Sequence, residues 1–295
     1  DWNKYEEELL DRLGSDNKMV RLLTNRAKSD PKRVVFAEAD HLDVLKAAQI
    51  VWEEGIGHPI LLGDREVILE LKEEIGFDAD VPIYDPKTPE EDKRRFHYAD
   101  IFWKERRRKG ISLLDAQKWM RERNYFAAMM VHEGEADALV TGYSRSYPSV
   151  VKPMLQLIGK APGISIVAST NMMMTNRGPI FFSDTAINPN PTADDIAKIA
   201  IMTANTVKLF GLEPVMAMVS FSNFGSSNHD SAVKLREAVA YLHKYYPDLI
   251  VDGEIQADFA LNPEMLKNKF PFSKLAGKKV NTLIFPNLEA ANVNY

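Results

Sequence analysis

The chain has 295 residues, 45% apolar and 27% charged, with no cysteine and a formal net charge of −5. That length can bury two domain-sized cores at ~100–200 residues each. The missing cysteines exclude disulfides, thiolate nucleophiles and Cys-ligated zinc, leaving only His and carboxylate metal sites. The acidic balance argues against general nucleic-acid binding, while local basic patches remain open to small anions.

No apolar run reaches the ~18–20 residues of a membrane helix. The opening DWNKYEEELLDRLG is acidic and amphipathic, unlike a basic-then-apolar signal peptide, so a cytoplasmic protein without a membrane partner is expected. Within residues 1–18, Trp2, Tyr5, Leu9, Leu10 and Leu13 fall at mixed three- and four-residue spacing and Gly14-Ser15-Asp16-Asn17 ends the pattern, predicting a short helix and a linker. Helix and strand then alternate: a helix over 19–28, a buried strand over 33–37, and a helix from Leu42 to about Val51 that Asp40 can cap and Gly55 stops. Residues 59–62 predict a strand, 65–75 a helix and 81–84 a strand, an alternation that implies a parallel sheet covered by helices. The dinucleotide fingerprint and the P-loop are absent. Glu38, Asp40, His41 and Asp43 fit either a hard-metal site or a helix N-terminus with acidic residues against its dipole. His58, His97, His132, His229 and His243 show no His-x-x-x-His pairing.

Residues 86–125 carry dense charge, including Lys93-Arg94-Arg95 and the run from Lys104 to Gly110. Most of these side chains read as a solvated helix face, but three adjacent guanidiniums cannot share one face, which leaves at least one free to turn toward a pocket. An apolar helix over 125–133 and a strand over 138–140 lead into Thr141-Gly142-Tyr143-Ser144-Arg145-Ser146, small residues with an Arg at a strand end, as a ligand loop would have. A helix over 148–158 holds Lys152 before Pro153, and strands are predicted over 163–169 and 179–184. In the loop 184–192 two prolines stiffen the backbone, and Thr192 with Asp195 fits a capping box for a helix over 193–210. This loop is either a stiff connector or a helix N-terminus offered to an anion. The stretch 215–228, VMAMVSFSNFGSSN, is a buried strand emptying into a Ser/Asn/Gly loop, either an ordinary turn or a ligand loop. After a helix over 231–246 comes a carboxylate-rich strand over 249–258. Asp252 and Glu254 share a face of it if it is regular, as an acid/base pair or in interface or cap roles. A last strand over 280–285 and the start of a helix at 290–295 complete the reading.

Several segments together resemble the phosphate acetyltransferase family, in family order over about residues 19 to 295: YFAAMMV at 125–131 with GEAD at 134–137, the loop 184–192, SFSNFGS at 220–226, DGEIQ at 252–256 and LIFPNLE at 283–289. The finer resemblance, carried by FAEADH at 36–41 and SNFGSS at 222–227, is to the phosphotransacetylase-like C-terminal domain of large bacterial NADP-dependent malic enzymes. The resemblance implies an α/β, three-layer αβα fold of two subdomains with mostly parallel sheets and a cleft between them, similar to phosphate acetyltransferases and isocitrate dehydrogenases. The implied division is a linker at 1–18 from a missing malic enzyme region, subdomain I at 19–163 and subdomain II at 164–295.

What the family implies about residues carries over unevenly. Arg106 matches a basic position implied to contact a coenzyme A phosphate, and Lys152-Pro153 matches the family's Arg-Pro with the charge kept and the bidentate fork lost. Where active transferases continue Ser-Phe-Ser with Thr-Lys-Gly-Ser, this chain has Asn223-Phe224-Gly225-Ser226; the family's Ser-Arg and following Asp lie beyond residue 295. The expectation is therefore a regulatory and oligomerising module that senses acetyl-CoA or a related acyl metabolite. It would be homodimeric or larger and linked in cis to an N-terminal malic enzyme domain, which alone would need NADP and a divalent metal to decarboxylate malate oxidatively. No catalytic or metal residue is assigned. Arg106, Ser144, Arg145, Lys152, Asp184, Asn188, Ser220, Asn223, Phe224, Ser226 and Ser227 are the expected ligands of coenzyme A, acetyl-CoA or phosphate. The alternative is an active phosphate acetyltransferase that converts acetyl-CoA and phosphate to coenzyme A and acetyl phosphate.

Overall fold

The computed structural model describes residues 14–176 and 178–294, so most of the expected N-terminal helix lies outside the described residues. The chain divides into two compact units, one formed by Arg21–Ala161 and the other containing Pro162–Tyr295. Helix α1 (Gly14–Ser29) begins at the Gly-Ser-Asp-Asn that the sequence marks as a stop. Those residue types favour helix starts as well as ends, which is why the pattern misleads.

The first unit is built on a fully parallel sheet of order β3-β2-β1-β4, formed by β1 (Lys32–Phe36), β2 (Gly57–Leu62), β3 (Ile83–Tyr84) and β4 (Ala138–Val140). Alternate residues of one strand enter different cores, as the two-residue period of a strand requires. Val35, Ile60 and Leu62 pack with α4 (Asp92–Arg106), α5 (Leu113–Trp119), α6 (Arg123–His132) and α7 (Tyr147–Leu157). Phe36 and Leu61 pack instead with α2 (Leu42–Glu53) and α3 (Arg65–Ile75). Helices thus cover both faces of the sheet. Helix α3 follows the sequence closely, with Asp64 accepting from the Glu66 and Val67 amides and Gly76 closing it at φ +69°. Helix α2 departs from expectation: its N-cap is His41, without a side-chain cap bond, because Asp40 is drawn to Arg123.

The second unit has sheet order β5-β6-β9-β7-β8, from β5 (Thr170–Thr175), β6 (Gly178–Ser183), β7 (Val215–Val219), β8 (Ile250–Ile255) and β9 (Thr282–Ile284). Among the described residues only β5 and β6 pair antiparallel. Met216 and Met218 enter a core with α8 (Ala193–Leu209) and α9 (Asp230–Tyr245), while Ala217 and Val219 enter one with α10 (Ala257–Ala260), α11 (Pro263–Lys269) and α12 (Leu288–Asn294). The fold is thus α/β in two units with mostly parallel sheets. The strand expected over 163–169 does not form. Backbone groups there are met by side chains at the end of β6 and in the turn that follows it: the Val167 carbonyl accepts from Asn188, the Ser169 carbonyl from Ser183, and the Ser169 amide donates to Asp184. The carboxylate-rich strand stops at Ile255, and Gln256 becomes the N-cap residue of α10.

Candidate functional site

In the first unit β1 stands between β2 and β4, so the loops leaving the carboxyl ends of β1 and β4 part there, the place where open α/β sheets take ligands. These loops are locked to each other. The Glu38 carboxylate, 1% exposed, accepts the amides of Gly142 at 2.7 Å, Tyr143 at 2.9 Å and Ser144 at 2.8 Å, together with the Ser144 hydroxyl. Burial alone would raise this carboxyl, but the Ser144 hydroxyl and the three amides outweigh it and hold it down at about 2. Three consecutive amides of this kind make an anion-binding nest, and Glu38 already fills it. Ser144 therefore faces Glu38. Asp40 and Arg123 form a bidentate pair at 2.6 and 2.8 Å, and Asp43 accepts from the Tyr143 hydroxyl. The acidic cluster 38–43 is thus spent on structural partners. Among the described residues no group of three His, Cys, Asp or Glu is placed to hold a metal.

Beside this junction lies a cavity of about 290 Å³, lined among others by Trp119, Glu122, Asn124, Arg145, Ser149 and Lys152. Lys152 Nζ stands 5.4 Å from the centroid of the Trp119 ring. Asn124 is held by the Thr141 hydroxyl at 2.8 Å. Among the described residues neither Arg145 nor Lys152 has a carboxylate within ion-pair distance. Two cations without an ion-pair partner, beside an aromatic face and the positive first turn of α7, make a pocket suited to a phosphorylated ligand. Arg106 is not among the residues that line it. Its guanidinium donates to the Leu155 and Gln156 carbonyls at the far end of α7, about 15 Å along an eleven-residue helix from Arg145.

In the second unit the loop 220–227 after β7 is held from β8 and α9. Ser220 N donates to the Ile255 carbonyl at 2.9 Å, Asn223 exchanges bonds with Gln256, and Phe224 N donates to the Glu254 carbonyl at 2.8 Å. Ser226 Oγ accepts from Asn223 N at 2.9 Å, and Ser227 N donates to Ser222 Oγ at 3.0 Å. Phe224 takes φ +44°, and its ring packs on Phe270 and Phe272 with centroids 4.9 and 5.0 Å apart. Arg236 reaches the loop from α9, donating to the Ser227 carbonyl at 2.8 Å and to Glu254 at 2.9 Å. The loop that follows β6 closes on itself. Asp184 accepts from the Ser169 amide and hydroxyl, from three amides at 186–188 and from the Asn188 side chain. Burial would raise Asp184, and these bonds bring it below the usual carboxylate range.

The structure thus brings Arg145 and Lys152 to one cavity; Ser220, Asn223, Phe224, Ser226 and Ser227 to one loop; and Asp184 and Asn188 to another. It leaves Arg106 apart. Asp252 and Glu254 are no acid/base pair, because Asp252 binds Ser273 and the Lys274 amide while Glu254 turns to the loop. Trp119, Asn124 and Arg236 escaped the sequence reading. Trp119 and Asn124 fall within the charge-dense stretch 86–125 that read mostly as a solvated helix face, and Arg236 is one charge among several on an amphipathic helix.

The family described as phosphate acetyl/butaryl transferase matches residues 18–295. A phosphate acetyltransferase from Thermoanaerobacterium thermosaccharolyticum is 39% identical over 285 residues, spanning 94% of this chain and 85% of that protein. The crystal structure of a phosphotransacetylase from Streptococcus pyogenes has the same fold, with a TM-score of 0.83 at 36% identity, covering 95% of this chain and 84% of the other. An NADP-dependent malic enzyme from Salmonella typhimurium is 34% identical, over all of this chain and 39% of the malic enzyme. The expected place in the malic-enzyme branch is therefore corrected: identity is higher to the transferase, and the chain accounts for most of that protein's length. The NADP-dependent oxidoreductase activity and the purely regulatory, acetyl-CoA-sensing role fall with it. The regulatory reading rested on Phe224 standing where active transferases carry Lys; its ring packs on Phe270 and Phe272, a guanidinium reaches the same loop from Arg236, and Arg145 and Lys152 line the cavity of the first unit without an ion-pair partner among the described residues. The chain belongs to the phosphate acetyl/butaryl transferase family.

Proposed function

We propose that the protein is a phosphate acetyltransferase, moving an acetyl group between coenzyme A and inorganic phosphate. The observation that carries this reading, in a chain of this family, is the cavity in which Arg145 and Lys152 lie without a carboxylate partner beside Trp119. Both substrates are phosphorylated anions, and one also carries a flat heterocycle. Cations worth ~1.5–3 kcal/mol per charge-assisted bond and an aromatic face answer that chemistry.

Toward thioester, the coenzyme A sulfur attacks the acetyl carbonyl, the carbon–oxygen bond to phosphate breaks, and the thiol proton passes to a base. Catalysis then rests on holding the reactants in line and on cations that meet the charge developing on the departing phosphate. In this reading Arg145 and Lys152 hold phosphate charge, Lys152 as a point charge where a guanidinium would grip in two places. Arg106 meets a peripheral phosphate of coenzyme A. Ser220, Asn223, Ser226 and Ser227 supply short polar groups from the 220–227 loop, while Ser144, Asp184 and Asn188 keep their loops in shape.

Catalytic amounts of the protein mixed with acetyl phosphate and coenzyme A test this through the ultraviolet absorbance of the thioester. Turnover in the ordinary enzymatic range of about 1–10³ per second is expected. Thioester formation no faster than without protein would defeat the reading. Lys152→Met should raise the KM for acetyl phosphate or coenzyme A ~10- to 100-fold, and an unchanged KM for both would remove Lys152 from the site.

A further inference from the structure

Beside the ligand loop of the second unit lies a carboxylate that the reaction described above does not use. Glu254 is 0% exposed, in a protein whose other carboxylates mostly face water. Its place is set by the residue before it. Gly253 takes φ +141°, and a Cβ there would come within 2.7 Å of the Met218 carbonyl oxygen, so only glycine fits. The ladder slips at that point: Met218 pairs with Gly253, Val219 with Ile255, and Glu254 has no partner across the strand pair. A bulge at a strand's carboxyl end re-aims a side chain, and here it aims Glu254 under the 220–227 loop. Glu254 Oε1 accepts from Ser222 Oγ at 2.7 Å, Gly225 N at 3.0 Å and Arg236 Nη1 at 2.9 Å, while its backbone carbonyl accepts from Phe224 N. Among the described residues Oε2 is buried with no hydrogen-bond partner.

Replacing a buried ion pair by apolar groups of equal size often leaves stability unchanged or higher, and a carboxylate with one oxygen unmet is a poor stabiliser. Glu254 is better explained by the geometry it imposes. We propose that Glu254, held by Arg236, is a positioning residue of the transfer reaction: it fixes the conformation of residues 222–227, and through them the placement of the ligand groups that this loop meets. It acts through Ser222, Gly225 and Phe224.

The kinetic arm rests on the transferase reading, and the structural arm does not. Two variants serve: Glu254→Gln, which keeps the volume and one acceptor but loses the charge facing Arg236, and Arg236→Met, whose site is partly open to solvent. Hydrogen exchange of a peptide spanning 221–227 is expected to quicken ~10-fold or more in both variants while the remaining β7 and β8 amides stay protected. In acetyl transfer, kcat should fall about 100-fold, the scale of a misplaced reacting group, with KM for acetyl phosphate changed by less than about threefold. The double variant should lose no more than either single one, since both break one unit. Native exchange in the loop with kcat within about twofold of the parent, in either folded variant, overturns the proposal. If the parent protein fails to turn over, the transferase reading is what has failed, and loop exchange alone still decides whether Glu254 holds the loop.

Discussion

Charged side chains in this protein divide by whether a partner has been built for them. Arg123 and Asp40 are each 14% exposed and meet in two hydrogen bonds. Burial alone would raise Asp40, and the bonds and charge of Arg123 pull it below the usual range. Arg123→Met would strand that carboxylate, and a loss of about 3 kcal/mol is expected from denaturant unfolding; a neutral result would mean that water already compensates Asp40. Glu38 gives a pH signature. Its carboxyl lies at about 2 against an unfolded value of 4.5, so its contribution is complete above pH 4.5 and is lost as pH falls through about 2. The parent should lose on the order of 3 kcal/mol more than Glu38→Gln across that window, and parallel pH profiles would contradict this. Arg106 caps the far end of α7, away from Arg145. If it also meets the peripheral phosphate, Arg106→Ala weakens coenzyme A more than its dephospho form, and equal weakening would assign the side chain to α7 alone.

At the scale of elements, what could be read beforehand followed the strength of local signals. The capping box of Thr192 and Asp195 is present as the sequence implied, with Asp195 N donating to Thr192 Oγ1 at 3.2 Å. Thr192→Ala should cost about 1 kcal/mol in thermal or denaturant unfolding, and no measurable cost would mean that the packing of α8 alone sets its start. Buried strands such as β7 and amphipathic helices such as α3 declared themselves through period and end residues. Long-range side-chain bonds were not legible: local pattern could not show that residues 163–169 would satisfy their backbone on the turn after β6, or that Asp40 would leave its helix for Arg123, 83 positions away. The same holds for the site. The loops 141–146 and 220–227 stood out by composition, whereas Glu38 filling the first and Arg236 clamping the second are meetings made by the fold.

For the whole molecule, each unit has cores of its own on the two faces of its sheet. Trp52, Trp103 and Trp119 all belong to the unit Arg21–Ala161, so tryptophan emission reports mainly on that unit while far-ultraviolet circular dichroism reports on both. Non-coincident unfolding curves from the two probes are expected, and superimposable curves would show one cooperative transition. In the proposed transferase reading the small-residue loop is part of the site, with Phe224 packed on Phe270 and Phe272. The most direct measurement of that claim follows the reverse reaction by phosphorus NMR: acetyl-CoA and inorganic phosphate incubated with catalytic amounts of the protein. An acetyl phosphate resonance is expected to grow as the phosphate resonance falls, reaching the same equilibrium ratio as a reaction begun from acetyl phosphate and coenzyme A. Saturable binding of acetyl-CoA with no acetyl phosphate formed would contradict it.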